Sequence, residues 1–271
     1  MSATTRLIPG FNLSLGYTVT FLSLVVLIPL ASLFVYSAQI SAEQFWKLIT
    51  SRQLLTALKL SFSTAFFAAL INAFIGLLLA WVLVRYQFWG KRWMDTFIDM
   101  PFALPTAVAG IALTAIYARN GVIGQFFEFK IAYSALGIML ALLFVTLPFV
   151  VRTLQPVLDD LPKDVEEAAE MLGASSWQRF RYVIFPAILP AWITGFTLAF
   201  ARGLGEYGSV VFISGNLPFR TEILPLVIVS KLDQYDYVSA ATIGAMMLII
   251  SFIFIFVINY IQRYFVKRTG K

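Results

Sequence analysis

Two charged side chains, Arg202 and Glu206, lie four residues apart inside a long apolar run, in the segment ARGLGEYGS. An i, i+4 spacing places both on one side of a helix, where an arginine and a glutamate neutralise each other. A charge at the centre of a membrane helix costs on the order of 2.5–3.5 kcal/mol, so such residues seldom face lipid. Two roles stay open: a structural ion pair that fixes helix packing, and a path in which Arg202 helps an anion through while Glu206 limits how tightly it is held.

Other residue types that support catalysis are missing from the chain. Its 271 residues include no Cys and no His, which removes disulfides, thiolate nucleophiles, the commonest general base and the commonest metal ligand. No GxxxxGK[ST] phosphate-binding loop occurs, so the chain lacks that means of hydrolysing ATP. Basic residues sit beside apolar runs rather than in one block, which argues against nucleic acid. We therefore expect no catalytic residue, no bound metal or cofactor and no enzymatic activity.

The composition indicates a polytopic membrane protein. The chain is 60% hydrophobic and only 13% charged, whereas a soluble domain is about half apolar and about a quarter charged. Several apolar runs exceed the ~20 residues that cross a bilayer as a helix, and they are too continuous for the core of a soluble protein. We expect an all-α fold with six transmembrane helices, at about Leu15–Ser37, Leu58–Val84, Thr96–Tyr117, Ile131–Val151, Ala191–Ser214 and Val238–Tyr260.

The ends of these spans and their charges predict the domain organisation. The first apolar run is longer than the ~7–15 residues of a signal-peptide core, which favours an uncleaved helix. Residues 1–57 then form an extra transmembrane helix and an outer amphipathic segment, followed by a membrane-spanning core at 58–262 and a basic cytoplasmic tail at 263–271. With the N-terminus inside, twelve Lys and Arg fall in inner segments and seven in outer ones, which favours an N-in, C-in orientation.

Near the start of the third predicted span, Asp95 and Asp99 are expected at the cytoplasmic interface, with Arg92 as a neighbouring cation. Pro101 and Pro105 in the same region are expected to kink the helix rather than to bind a ligand.

The inner loop 154–190 contains the most polar stretch of the chain, DDLPKDVEEAAEMLGASSWQRF. It predicts a helix, a sharp turn at Gly173 and a second helix. Asp159 or Asp160 is expected to cap the first helix, and Ser175 or Ser176 the second. Residues at helical spacing give the first helix one apolar face: Val165, Ala168, Ala169 and Leu172. Two prolines, Pro186 and Pro190, are expected to end the second helix.

This first helix is acidic, with Asp164, Glu166, Glu167 and Glu170 against Lys163. A helix lying on anionic lipid headgroups carries Lys and Arg on its polar face instead. We therefore interpret it as a docking helix for a soluble partner.

The run EAAEMLG followed by FPAILP resembles the EAA loop of bacterial ABC importer permeases with the type I fold. The glutamate, the glycine six residues later and the two prolines all keep the family spacing. The resemblance implies that the loop is a coupling loop, in which one helix sits in a groove of a separate ATPase. The implied coupling residues are Glu167, Ala168, Ala169, Leu172, Gly173, Ala174 and Trp177.

Three further stretches, DMPFALPTAVAGIAL, LPFVVRTLQPVLDDLP and ARGLGEYGSVVFISGN, resemble sulfate/thiosulfate permease subunits and, more loosely, molybdate permeases. The resemblance implies an importer of sulfate in the bacterial inner (plasma) membrane and leaves thiosulfate open. It also implies a pair of ATPase subunits that use ATP and Mg²⁺, and a periplasmic sulfate/thiosulfate-binding protein. A second homologous permease subunit is implied as well, with a heterodimer favoured, and membrane lipid surrounds the pair. The alternatives are a molybdate or tungstate permease, a secondary anion transporter and a membrane-bound enzyme.

Overall fold

A computed structural model describes residues 11–269 and places them in helices joined by short turns, with no strand in that range. One of the basic residues counted on the inner side, Arg6, lies outside the described range, as do the last two residues of the predicted basic tail. The α-helices are α1 Phe11–Leu22, α2 Ile28–Ser37, α3 Ala42–Ile49, α4 Arg52–Arg85, α5 Lys91–Ala103, α6 Thr106–Tyr117, α7 Ala135–Asp159, α8 Lys163–Met171, α9 Ser176–Arg179, α10 Phe185–Leu204, α11 Val210–Ile213, α12 Leu224–Asp233 and α13 Tyr237–Thr269.

Five helical runs among the described residues are long and apolar enough to cross a membrane. The bent pair α5–α6 makes a sixth if it is counted as one span. The all-α fold predicted from the sequence is therefore confirmed, although the bounds of the spans shift. The five runs are Leu13–Ser37, Arg52–Arg85, Ala135–Asp159, Ser176–Leu204 and Tyr237–Tyr260.

The third predicted span is not one continuous helix. Helices α5 and α6 meet at an angle of 113° across Leu104 and Pro105. Leu104 has an extended backbone, with ψ of 134°, because a residue before proline is pushed out of the helical region. Pro101, in contrast, lies inside α5. Of the two predicted kink sites, Pro105 is therefore the one at which the helix breaks.

The fifth predicted span, Ala191–Ser214, is wrong at both ends. The helical run starts at Ser176, passes through a π-helical turn at Phe180–Ile184 and ends at Leu204. Pro186 lies in the first turn of α10 and Pro190 lies inside it, so neither proline ends the second helix of the loop.

The carbonyl of Pro190 links α10 to α13. This oxygen accepts hydrogen bonds from Thr194 Oγ1 at 2.8 Å and from Gln262 Nε2 of α13 at 3.0 Å. Because a proline has no N–H, the carbonyl that loses its helical donor is that of Pro186, and the contacts to the Pro190 carbonyl hold the two helices together instead.

The core lies where α4, α7 and α10 pack together. The buried face of α4 is made mainly of small side chains, which let neighbouring backbones approach closely. Polar contacts join the three helices: Asn72 of α4 donates to Thr146 at 2.8 Å and to the carbonyl of Leu143 at 2.9 Å, both in α7, and Trp192 of α10 donates to the carbonyl of Ala73 at 2.7 Å. The buried alanines of α4 are Ala57, Ala65, Ala68, Ala69, Ala73 and Ala80.

The amphipathic segment predicted before the second span is confirmed as the short helix α3. Its first turn is closed by a capping box, in which Ser41 accepts from the backbone of Gln44 and the Gln44 side chain accepts from the backbone of Ser41. Ser51 then caps α4 directly, so α3 leads straight into the second span.

Candidate functional site

The Arg202–Glu206 ion pair is present, at 2.6 Å between Arg202 Nη1 and Glu206 Oε2. The two residues do not share one continuous helix, however. Helix α10 ends at Leu204, so Glu206 lies in the turn that leads to α11. The predicted spacing therefore brings the two charges together at the end of a helix rather than along its side.

The carboxylate of Glu206 belongs to the interior of the protein, with a side chain that is 2% exposed. Its Oε1 accepts hydrogen bonds from the backbone N and from Oγ of Ser209, both at 2.9 Å. Ser209 in turn packs against α6 at Gly110, where an added Cβ would overlap the Ser209 backbone. Glu206 thus fixes the turn between α10 and α11 against the second half of the broken third span.

Arg202 lies in a different environment, because 35% of its side chain is exposed. Its Nη1 binds Glu206, and about a third of the side chain stays accessible in the single chain. A partly exposed guanidinium beside a buried carboxylate presents hydrogen-bond donors to whatever occupies the open side, and such donors suit a tetrahedral oxyanion.

The predicted inner loop is a helix, a turn and a second helix. Gly173 ends the first helix with φ of +83°, as expected for a left-handed C-terminal residue. Ser175 caps α9 in a capping box with Gln178, which confirms one of the two predicted caps. The predicted cap of α8 is wrong, because α7 ends at Asp159 with Asp160 as its C-terminal cap, and Pro162 directly precedes α8.

The predicted coupling residues form an accessible surface. Leu172 is 89% exposed and Trp177 is 65% exposed. Glu167, Ala168 and Gly173 are also exposed, whereas Ala169 and Ala174 are half-buried. An apolar helix face that is largely exposed in the single chain fits contact with another protein.

Helix α8 is bound to the end of α4 by a contact that sequence reasoning missed. Arg85, the last residue of α4, donates from Nη2 to Oε1 of Glu166, and both side chains are largely buried. The sequence indicates Glu166 only as one of the acidic residues of this helix, and it assigns no partner to Arg85. Their pairing joins residues 81 positions apart, and nothing in the local pattern predicts it.

A second missed network surrounds Arg152 of α7. Its guanidinium donates to Asp95 Oδ1 at 2.7 Å and to Asp99 Oδ1 at 2.8 Å, and Gln155 Nε2 donates to Asp95 at 3.2 Å. The cation beside the two aspartates is therefore Arg152, where the sequence suggested Arg92. A usable signal existed: two acidic side chains at i, i+4 on an apolar helix require a cation from a packed neighbour.

Among the described residues, no cluster of three or more His, Cys, Asp or Glu is placed to hold a metal ion. The side-chain groups gathered at the two candidate sites are charged and hydrogen-bonding pairs. Their arrangement suits holding helices together and contacting an anion or another protein.

A family model described as "binding-protein-dependent transport system inner membrane component" matches residues 72–271. The "sulfate transport system permease protein CysT" of Escherichia coli (strain K12) is 44% identical over 267 residues, covering 97% of this chain and 96% of the relative. A protein of the same name from Synechocystis sp. (strain ATCC 27184 / PCC 6803 / Kazusa) is 46% identical over 250 residues, covering 91% of this chain and 87% of the relative.

Two solved structures share the fold at low sequence identity. A bacterial alginate ABC transporter, in complex with an alginate pentasaccharide-bound periplasmic protein, aligns with a TM-score of 0.80 at 16% identity and covers 95% of both chains. The MetNI methionine ABC transporter in inward-facing conformations aligns with a TM-score of 0.57 at 21% identity, covering 86% of this chain and 100% of the other.

Proposed function

Because the chain belongs to the family of binding-protein-dependent transport system inner membrane components, we propose that it is the membrane-spanning permease subunit of an ATP-driven sulfate importer. It has the type I ABC importer permease fold and lies in the bacterial inner membrane. The observation that carries the substrate is 44% identity to a sulfate permease across almost the whole of both chains. The chain is a transport subunit and not an enzyme.

ATP and Mg²⁺ are bound by a separate pair of ATPase subunits. The coupling residues Glu167 to Trp177 dock on this pair, with the exposed Leu172 and Trp177 as apolar anchors and the acidic face of α8 turned to the partner. Closure of the ATPases displaces the coupling loop and switches the spans between inward- and outward-open states. The left-handed turn at Gly173 and the capped α9 support this proposal, because they give the exposed surface a fixed shape.

In the membrane, the two members of the ion pair have separate roles. Glu206 is structural, since it is buried and bonded to Ser209. Arg202 lines the path of the dianion, since its side chain is partly accessible and its positive charge is offset by Glu206. A fully unpaired cation would bind a dianion too tightly to release it, and a carboxylate neighbour weakens that binding.

The remaining partners follow from the same class of transporter. A soluble periplasmic binding protein delivers sulfate, and thiosulfate is a second substrate of similar size and charge. A second, homologous permease subunit completes the membrane unit as a heterodimer, with lipid around it. Exposed apolar side chains along α6 and α10, such as Ile111 and Leu198, support such contacts with protein or lipid.

The proposal is tested by reconstitution. The chain is purified from native membranes with its associated subunits, placed in liposomes and supplied with the binding protein that captures sulfate. We expect uptake of radiolabelled sulfate that needs ATP inside the liposomes and the binding protein outside. Uptake that persists without ATP and follows an ion gradient would instead make this chain a secondary transporter, and preferential uptake of molybdate would change the substrate.

A further inference from the structure

The cytoplasmic contact between α4 and α8 involves the most buried arginine–glutamate pair at the predicted coupling loop. The Arg85 and Glu166 side chains are 16% and 20% exposed. The guanidinium of Arg85 also lies over the ring of Trp81, one turn earlier in α4, at 5.4 Å from the ring centre. Arg85 is therefore held by a cation–π contact within α4 and by an ion pair to α8 at the same time.

Aromatic contacts bring the second helix of the loop to the same point. The Trp81 ring packs edge-on against Phe180 with ring centres 5.9 Å apart, and Phe180 stacks on Trp177 at 5.8 Å. Trp177 belongs to α9 and Phe180 to the π-helical turn that follows it. Both parts of the coupling loop thus contact the last turn of α4.

A second ion pair of the coupling loop connects different elements. Arg179 of α9 binds Glu170 of α8, and the Glu170 side chain is 63% exposed. This pair joins the two helices of the loop to each other and makes no link to the transmembrane core. Only the Arg85–Glu166 pair provides a charged connection from α8 to a membrane helix among the ion pairs of the described residues.

Helix α4 leads directly from this contact to the candidate path. It runs without interruption from Arg52 to Arg85 and binds α7 through Asn72 and α10 through Ala73. Helix α10 carries Arg202 at its far end. A displacement of α8 that is transmitted to α4 therefore reaches the ion pair through packed helices.

We propose that Arg85 is a positioning residue for coupling, which fixes α8 to α4 through Glu166 so that movement of the docked loop becomes movement of the membrane helices. This inference rests on the proposed function, because it needs an ATPase that displaces α8. The contacts that hold the Arg85 side chain are the ion pair to Glu166 and the Trp81 ring, and its buried Nε has no hydrogen-bond partner within the described part of the chain.

The first test compares neutral variants in the reconstituted transporter. Arg85→Gln and Glu166→Gln are expected to lower the number of sulfate ions imported per ATP hydrolysed by roughly tenfold, within the range of a coupling residue, while ATP hydrolysis continues. Glu170→Gln, on the same helix but paired only within the loop, is the matched control and is expected to keep the wild-type ratio. The double variant Arg85→Glu with Glu166→Arg is expected to recover the ratio, which a merely lost packing contact would not predict.

The absence of cysteine from the chain allows a second test. The double variant Arg85→Cys with Glu166→Cys is expected to be uncoupled, to regain coupling when a bifunctional thiosulfonate bridges the two thiols, and to lose it again on reduction. Loss of transport on bridging would overturn the proposal, because it would mean that α8 must move relative to α4. Equal ratios in Arg85→Gln, Glu170→Gln and wild type would overturn it as well. Failure of the wild-type assembly to import sulfate would instead reject the proposed function, and this inference with it.

Discussion

At the scale of single residues, Arg202 and Glu206 form one ion pair whose members lie in different environments. The arginine is accessible, and the carboxylate is buried and bonded to Ser209. Neutralising either residue breaks the same contact, but the consequences differ. Loss of Glu206 removes the acceptor for Ser209 in the turn between α10 and α11. Loss of Arg202 removes hydrogen-bond donors that are partly accessible to an anion.

Arg202→Gln is expected to reduce sulfate uptake by at least about tenfold, since one well-placed charged contact to an anion is worth roughly 1.5–3 kcal/mol. Assembly with the partner subunits is expected to persist, because Glu206 keeps both bonds to Ser209. Uptake and co-purification are measured on the same preparation. Lys59→Gln, which neutralises an exposed cation in α4, is the matched control and should transport normally. Failure of Arg202→Gln to assemble would show that the pair is structural.

Glu206→Gln is expected to act mainly on stability. An amide can still accept from Ser209 but leaves Arg202 without its counter-charge, so we expect a loss of about 1–2 kcal/mol, reduced from a fully buried pair by the exposure of Arg202. Thermal unfolding of the purified protein in detergent measures the change. An unaltered midpoint together with lost uptake would place Glu206 in the transport step instead.

Residue-level prediction from sequence succeeded where partners are close in the chain. The i, i+4 spacing identified the Arg202–Glu206 pair, and the Ser175 cap followed from its position before a helix. It failed for Arg85 with Glu166 and for Arg152 with Asp95 and Asp99. These partners lie more than fifty positions apart, so only the packing of α4, α5 and α7 brings them together.

At the scale of elements, the turn between α8 and α9 depends on the backbone of Gly173. Its φ of +83° suits glycine, and no described atom lies within 4 Å of the position that a Cβ would take. A side chain there would therefore meet backbone strain rather than a steric clash. Asparagine tolerates a positive φ, in the left-handed region, better than β-branched residues do.

Gly173→Val is expected to strain the turn by about 1–2 kcal/mol and to reorient α8 relative to α9. Sulfate uptake should fall while the chain still inserts and the ATPase still hydrolyses ATP. Gly173→Asn is the matched variant and should retain most of the uptake. The ratio of uptake to ATP hydrolysis distinguishes the two, and an equal ratio in both variants would exclude the turn from coupling.

The start of α13 depends on Asp236, which lies directly before the helix and accepts a hydrogen bond from the backbone N of Ser239 at 3.1 Å. Burial raises the pKa of Asp236, but the hydrogen bonds from Ser239 and the charge of Lys231 more than offset this, and the pKa lies below its ordinary value of 3.8. Because the pKa of Asp236 is lower in the folded state, its carboxylate stabilises that state fully at pH values above the ordinary pKa. This stabilisation is lost as the pH falls through the lowered pKa.

Asp236→Ala should therefore destabilise the protein at pH 7 by about 0.5–2 kcal/mol, the usual effect of losing a helix cap. The difference from wild type should shrink as the pH falls from 7 to well below 3.8, where the wild-type carboxylate is protonated. Asp236→Asn keeps a capping acceptor without the charge, so its difference from wild type at pH 7 should be smaller and should also shrink at the lower pH. Thermal unfolding between these two pH values measures both, and a constant difference for Asp236→Ala would contradict the assignment.

Hydropathy predicted where most elements lie, because membrane spans are set by a long apolar run. It could not predict two departures. The break at Leu104–Pro105 and the continuation through Pro190 both involve proline, yet one stops a helix and the other does not. Leu104, directly before Pro105, has an extended backbone, whereas Pro190 lies inside α10. Gln262 of α13, 72 residues away, binds the Pro190 carbonyl, and hydropathy cannot predict such a contact between helices.

At the scale of the whole molecule, the fold and the substrate depend on different features of the sequence. The alginate transporter shares this fold at a TM-score of 0.80 with only 16% identity, so the helical arrangement serves more than one cargo. The sulfate permease relatives, at 44–46% identity, share far more of the individual side chains. The fold alone therefore does not specify the cargo. Under the proposed function, the cargo is selected by residues such as Arg202 within a common framework and by the protein that delivers the anion.

Orientation in the membrane is the property on which the other assignments depend, since the coupling loop can reach an ATPase only from the cytoplasm. Two matched positions test it in this cysteine-free chain. Ala42 and Ser176 are the first residues of α3 and α9, both are exposed, and each follows a serine that closes a capping box. Their chemical surroundings are therefore alike, although the positive-inside bias predicts opposite sides of the membrane.

In single variants, Ala42→Cys should react with a membrane-impermeant maleimide in spheroplasts, which leaves the outer face of the inner membrane accessible. Ser176→Cys should react only after the membrane is permeabilised. A permeant maleimide should label both and controls for reactivity. The opposite pattern would put α8 and α9 outside the cell, where no ATP-hydrolysing partner has its substrate. The exposed face around Leu172 and Trp177 would then need a different partner, and the proposed coupling through Arg85 would be excluded together with the importer.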